Sequence, residues 1–132
     1  MGFPMKYCYL FVALMLLPNI AESAFIEGNE LFSYMENCAK FDQGDKTPIN
    51  HYGCGVSTGY ILGVVDLNKD LQKIIMGTEY RDTFKFTCLP NVSSQQLFDV
   101  VHKWLKDHPA LRHNRANSLV EDALLDAWPC PE

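Results

Sequence analysis

Four cysteines, Cys38, Cys54, Cys88 and Cys130, set the strongest constraint on what this 132-residue chain can fold into. What precedes them decides how to read them. Lys6 is followed by the apolar run YCYLFVALMLL from Tyr7 to Leu17, then by Pro18 and by Ala21-Glu22-Ser23. Small residues at Ala21 and Ser23 occupy the two positions that a signal peptidase reads, so residues 1–23 are expected to be a secretory signal peptide cleaved after Ser23. The run is about half the length of the ~20 apolar residues that span a bilayer. Cleavage leaves a domain of residues 24–132 and removes Cys8. An even number of cysteines in an exported chain predicts two disulfides.

The apolar spacing of that domain is helical. Leu31, Tyr34, Met35, Cys38 and Phe41 recur at three and four residues, which predicts a first helix over Asn29–Phe41. FDQGDKTPIN ends it with turn residues. A second helix is expected over His51–Ile75, with Gly77 as its stop. The segment from Gly77 to Thr87 alternates weakly and reads as a loop, long enough for a functional role. The third helix announces itself: Ser93 and Gln96 form a capping box, and Val92 can staple to Leu97. Its stripe is Leu97, Val100, Val101, Trp104 and Leu105. Pro109 is expected to open a fourth helix that ends before Pro129. The predicted fold is therefore all-α, a compact single domain of four main helices stapled by two disulfides.

Helix order selects one of the three possible disulfide pairings. Short links make neighbouring helices antiparallel. Cys38 near the end of the first helix then meets Cys54 near the start of the second. Cys88 precedes the third helix and Cys130 follows the fourth, so an antiparallel pair brings those ends together. The expected bonds are Cys38–Cys54 and Cys88–Cys130, worth roughly 3 and 4 kcal/mol in the chain-entropy model.

Several function classes find no support. The net charge of −5 is unchanged by cleavage, because one lysine and one glutamate leave with the leader. A mildly acidic domain without a basic cluster argues against nucleic acid. No later segment is apolar enough to span a membrane. The four histidines, His51, His102, His108 and His113, make no CxxC- or HExxH-type ligand pattern, so neither a metal nor a cofactor is expected. Ser57 and Thr58 lack the strand that a nucleophile elbow needs. A hydrolase would require a nucleophile–base pair that the sequence does not offer.

Taken in order, Cys54, GYILGVVD (Gly59–Asp66), CLPNVSSQQLFDVVHKWLKDHP (Cys88–Pro109) and a last helix ending in AWPC (Ala127–Cys130) resemble the Rap/Tai family of type VI secretion immunity proteins. The resemblance implies a small helical periplasmic protein that often dimerises. It implies that the partner is a cognate cell-wall-degrading effector, a peptidoglycan amidase in one branch, whose catalytic cleft is blocked. Tight inhibitors use exposed aromatic and arginine anchors. Tyr80, Arg81, Asp82 and Phe84 in the long loop are the first candidate group, against the alternative that Phe84 and Phe86 fold into the core. Asp42 and Asp45, with Lys46, are a second. A small acid-stress chaperone of the periplasm is the rival reading.

Gly55, Gly59 and Gly63 share a face of the second helix, although interior glycine costs roughly 1 kcal/mol against alanine. The expected reason is a close approach by another helix of the domain, with Ile61, Leu62, Val64 and Val65 filling the core around it.

Overall fold

The computed structural model describes residues 26–131, so the expected signal peptide lies outside the described residues. Among the described residues four helices form: α1, Gly28–Asp42; α2, Pro48–Ile75; α3, Ser94–Asp107; and α4, Ala116–Ala127. Two single 3₁₀ turns, Arg81–Thr83 and Pro109–Leu111, sit in the connections. There is no strand among the described residues, only isolated bridges between Glu27 and Arg115 and between Thr87 and Pro129. Both expected disulfides are present, Cys38–Cys54 and Cys88–Cys130.

The helices converge on one core. Leu31, Met35 and Cys38 of α1 meet Ile61 and Val65 of α2, Leu97, Phe98, Val101 and Leu105 of α3, and Leu119, Val120, Ala123 and Leu124 of α4. The closest pair is α1 with α2, and Gly53 explains why. A Cβ at Gly53 would lie 2.7 Å from the Tyr34 carbonyl oxygen and 2.7 Å from Asn37 Cβ. Only a residue without a side chain lets the two backbones come so near. One residue further, the Cys38–Cys54 bond fixes the approach at a Cα–Cα distance of 4.3 Å.

This overturns the expectation for the other three glycines. A Cβ at Gly55, Gly59 or Gly63 would meet nothing within 4 Å. The line that faces α1 and the core is Gly53, Ser57, Ile61 and Val65, all buried. Adding two residues turns a helix by about 200°, so the line 55–59–63 looks the opposite way. Ile61 and Val65 fill the core as expected; Leu62 and Val64 are only half-buried against it.

The boundaries also shift. α2 starts at Pro48, three residues before the expected His51, because the fixed φ of proline suits the first helical position. Asn50 is buried there and its Nδ2 donates to the Asp45 carbonyl at 3.1 Å. Pro109 does not begin the last helix. It opens a separate 3₁₀ turn, after which Arg112 folds back: Nε donates to the Leu105 carbonyl at 2.7 Å and Nη2 to that of Lys106 at 3.2 Å. These carbonyls belong to the end of α3, so Arg112 caps it with a charge of favourable sign. The chain then runs beside residues 26–29, where Gly28 N donates to Asn114 O and Ala116 N to Ile26 O, before α4 begins. Gly77 is not a left-handed stop; among the described glycines only Gly44 has a positive φ, 107°. The capping box of α3 is complete, with Gln96 N bonded to Ser93 Oγ at 3.2 Å and Ser93 N to Gln96 Oε1 at 2.8 Å.

Candidate partner-binding surface

The connection from α2 to α3 carries the whole of the first candidate group. Tyr80 and Phe84 are 58% and 52% exposed, and Arg81 is exposed beside them. Phe84 therefore does not fold into the core. Phe86 is half-buried and its ring lies 6.4 Å from that of Phe84. The side chain of Asp82 lies outside the described residues; its backbone belongs to the 3₁₀ turn. The turn is closed by its own atoms, with Thr83 N donating to Tyr80 O at 3.0 Å and Tyr80 N to Thr78 Oγ1 at 3.3 Å.

What positions this segment comes from the far end of the chain. Thr87 and Pro129 form an antiparallel bridge. Cys88 N donates to Trp128 O at 2.9 Å and Cys130 N to Phe86 O at 3.2 Å. The Cys88–Cys130 disulfide closes the same clasp. The loop is thus held against the C-terminal end of α4.

Beneath the loop runs a groove. One part, of about 310 Å³, has an apolar floor of Val65, Ile75, Phe86, Leu89 and Leu124, with Lys69, Lys85, Glu121 and Asp122 among its polar lining. It continues past Phe84 into an open part lined by Met76, Arg81, Leu125 and the Cys88–Cys130 bond. Burial pushes the Glu121 carboxyl above its ordinary value, against a hydrogen bond from Asn68 that lowers it, while Asp122 adds to the rise. Glu121 is half-buried there, whereas Asp122 is exposed. Asp126 is exposed and accepts from Trp104 Nε1 at 2.6 Å.

The second candidate group is placed elsewhere. Asp42 and Asp45 are exposed at the turn between α1 and α2. Asp45 Oδ1 accepts from Thr47 N at 3.3 Å, and Lys46 Nζ donates to Phe41 O at 2.6 Å and lies 3.6 Å from that ring's centre. These contacts shape the turn. The two groups sit at opposite ends of the 28-residue α2, about 42 Å apart along its axis. They do not form one site.

Chemistry is equally constrained. Cys38, Asp42 and Cys54 hold their ligand atoms within 4.8 Å of one another. The two sulfurs are joined, however, and a metal is bound by thiolate, which the disulfide does not present. Ser57 is fully buried, and its hydroxyl donates to the Gly53 carbonyl at 2.7 Å, so it is a helix-packing residue with no approach for a substrate.

The sequence reading missed the groove and its α2 wall. Leu71 and Met76 contribute exposed apolar surface there, next to half-buried Gln72. The signal was available: α2 stays apolar on one side beyond Asp66, further than a helix facing only water requires.

Among known proteins, the sequence pattern described as Rap1a immunity proteins matches residues 27–130. No curated protein matches the chain.

Proposed function

The chain belongs to the Rap1a immunity protein family, a family of non-enzymatic proteins that act by binding a cognate type VI secretion effector, and from that premise we propose its target, its site and its compartment. The target is a peptidoglycan amidase. The site is the clasped loop between α2 and α3, whose exposed Tyr80, Arg81 and Phe84 enter the catalytic cleft of the enzyme. The compartment is the periplasm, reached after loss of residues 1–23.

The observation that carries the reading is the exposure of two aromatic rings and an arginine on a loop tied down at its base. Rigid anchors of these types dominate binding energy at protein interfaces, and ordering them in advance lowers the entropy cost of association. Two disulfides suit an oxidising compartment. No helix among the described residues is long and apolar enough to cross a membrane.

A second copy is proposed to pair through the outer face of α2. Ile49, Tyr52, Val56, Gly59, Gly63, Leu67 and Ile74 follow one another at spacings of three, four or seven, the periodicity of a helix–helix seam. Ile49, Tyr52, Leu67 and Ile74 are each more than half exposed, and the open glycines leave room for a facing backbone.

The test exports a type VI peptidoglycan amidase to the periplasm of cells making this chain. Protection is expected, and is expected to disappear when residues 1–23 are deleted. Phe84→Ala and Tyr80→Ala should each weaken binding by roughly 30-fold or more, as hot-spot truncations do, without change in helix content. Lysis prevented equally well by the leaderless chain would overturn the reading. Sedimentation at rising concentration tests the pairing; Gly59→Trp should abolish any dimer.

A further inference from the structure

We propose that the Cys88–Cys130 disulfide is a redox latch: closed, it holds the Tyr80–Phe84 face in place, and reduced, it releases that face while the four-helix body stays folded. The consequence for immunity rests on the effector-binding reading above; the latch itself does not.

The two disulfides sit in different surroundings. Cys38 is 5% exposed and lies within the core cluster. Its bond to Cys54 joins helices that already pack through the Gly53 approach and the shared core, so opening it leaves the α1–α2 contact in place. Cys88 is exposed and Cys130 half-buried, at the surface of the open groove. Exposed disulfides are the labile ones. Arg81 and Lys85 line that groove, and neighbouring positive charge favours the departing thiolate. The carboxylate that also lines it, Asp126, is engaged by Trp104.

The loop depends on this bond far more than the helices do. Among the described residues, two backbone hydrogen bonds tie residues 84–88 to another segment, Cys88 N to Trp128 O and Cys130 N to Phe86 O. Both are in the clasp. From Thr78 to Thr83 the hydrogen bonds are local, and Glu79 to Lys85 are exposed wherever their side chains are described. Two hydrogen bonds, each worth about 1 kcal/mol net, do not by themselves hold such a segment against the backbone entropy it regains.

The chemistry is an ordinary dithiol exchange. A thiolate of an external dithiol attacks Cys88 Sγ. The Cys88–Cys130 bond breaks, and Cys130 leaves as a thiolate that takes up a proton. The second thiol of the reductant then attacks the mixed disulfide, releasing Cys88 as a thiol. Two electrons and two protons pass to the protein, and the reductant becomes a disulfide. In the cell, the binding face is then complete only after oxidation, which confines immunity to the compartment where the effector acts.

The test titrates the oxidised domain, residues 24–132, with dithiothreitol. Free thiols are trapped by alkylation and located by mass spectrometry. Trypsin cleavage after Arg81 and Lys85 and the far-ultraviolet helix signal are followed in parallel. Cys88 and Cys130 should be alkylated first. Cleavage at the two loop sites should then accelerate at least tenfold at constant helix signal, and reoxidation should reverse it. Opening of Cys38–Cys54 first, unchanged cleavage, or loss of helix together with loop protection each overturns the latch. In cells exporting a type VI peptidoglycan amidase, the C88S/C130S variant should protect at least tenfold less than wild type at equal abundance, whereas C38S/C54S should still protect. Equal protection by C88S/C130S overturns the gating. Failure of the wild-type chain to protect overturns the immunity reading and the gating with it, while the alkylation result still decides the latch.

Discussion

Replacing single glycines of α2 by alanine should stabilise or destabilise the fold according to which face they occupy. At Gly53 the added methyl would sit 2.7 Å from the Tyr34 carbonyl oxygen and 2.7 Å from Asn37 Cβ. Ordinary carbon contacts lie at about 3.5–4.0 Å, so α1 and α2 must part by nearly 1 Å. Neither obstructing atom can swing away, and the adjacent Cys38–Cys54 bond resists the separation. Overpacking of this kind costs about 1–3 kcal/mol, set against a gain of roughly 1 kcal/mol in helix propensity. Gly53→Ala should therefore destabilise by up to about 2 kcal/mol. Gly59→Ala and Gly63→Ala meet nothing within 4 Å and should each stabilise by up to about 1 kcal/mol. Urea unfolding of the oxidised domain reads the difference. With m near 1–3 kcal/mol/M, each kcal/mol moves the midpoint by about 0.3–1 M. Dilute protein keeps self-association out of the measurement. A second arm repeats Gly53→Ala in a C38S/C54S background, where the helices can relax. The cost should shrink there, a coupling that a double-mutant cycle isolates. The same sign of effect at positions 53 and 59 would falsify the assignment of faces.

Further outcomes follow from the same contacts. Ser93→Ala removes the capping box of α3 and should cost about 1 kcal/mol, measured as a lower urea midpoint at constant m. Glu121 has its folded-state pKa raised from 4.5 by burial, so the fold binds that proton more tightly than the unfolded chain. Its contribution favours the fold below pH 4.5 and is lost as pH rises through the folded value. Glu121→Gln should consequently be more stable than wild type at pH 7, with the advantage vanishing below pH 4.5; an equal advantage at both pH values would refute the cause. Removing Cys38–Cys54, which closes a loop of 16 residues, should lower stability by about 3 kcal/mol in denaturant titrations, with the helix signal retained before the transition.

Much of the architecture was legible because local chemistry and tertiary packing agree. The capping box at Ser93 and Gln96 depends on residues three apart, and α3 begins where they say. The disulfide pairing needed only helix order. The α2 glycines show where that logic stops. Gly53–Ser57 and Gly55–Gly59–Gly63 are both small-residue lines at a spacing of four, and either could admit a neighbouring helix. The choice is made by what continues each line. The first runs into Ile61 and Val65, which have core to fill. The second runs into exposed Leu67 and Asp70. A pattern of small residues says that a backbone can come close; the bulky residues further along say which one does. Pro109 failed as a helix start for a similar reason. A proline permits a first turn, but Arg112 gains two carbonyl partners at the end of α3 by bending the chain back instead.

The candidate surface was legible in kind and not in placement. Tyr80, Arg81 and Phe84 have the chemistry of anchors, and a long polar connection leaves them outside. Nothing local in that connection says what makes it firm. The answer lies about 40 residues away, where Cys130 joins Cys88 and Trp128 accepts from the Cys88 backbone. A free loop forfeits about 1–2 kcal/mol per residue when its backbone becomes fixed. Prepaying that cost over even three residues of the loop amounts to about 3–6 kcal/mol, or roughly two to four orders of magnitude in affinity. If the proposed site is the one used, the affinity of this surface is governed by a bond that touches no partner. Substitutions at Tyr80 or Phe84 should raise the dissociation rate of a complex. Loss of the Cys88–Cys130 bond should instead slow association as well, because the binding shape is then only one of many that the loop visits. Stopped-flow kinetics distinguish the two. An unchanged association rate in the C88S/C130S variant would mean that the loop keeps its shape without the clasp, and the argument from preorganisation would fail.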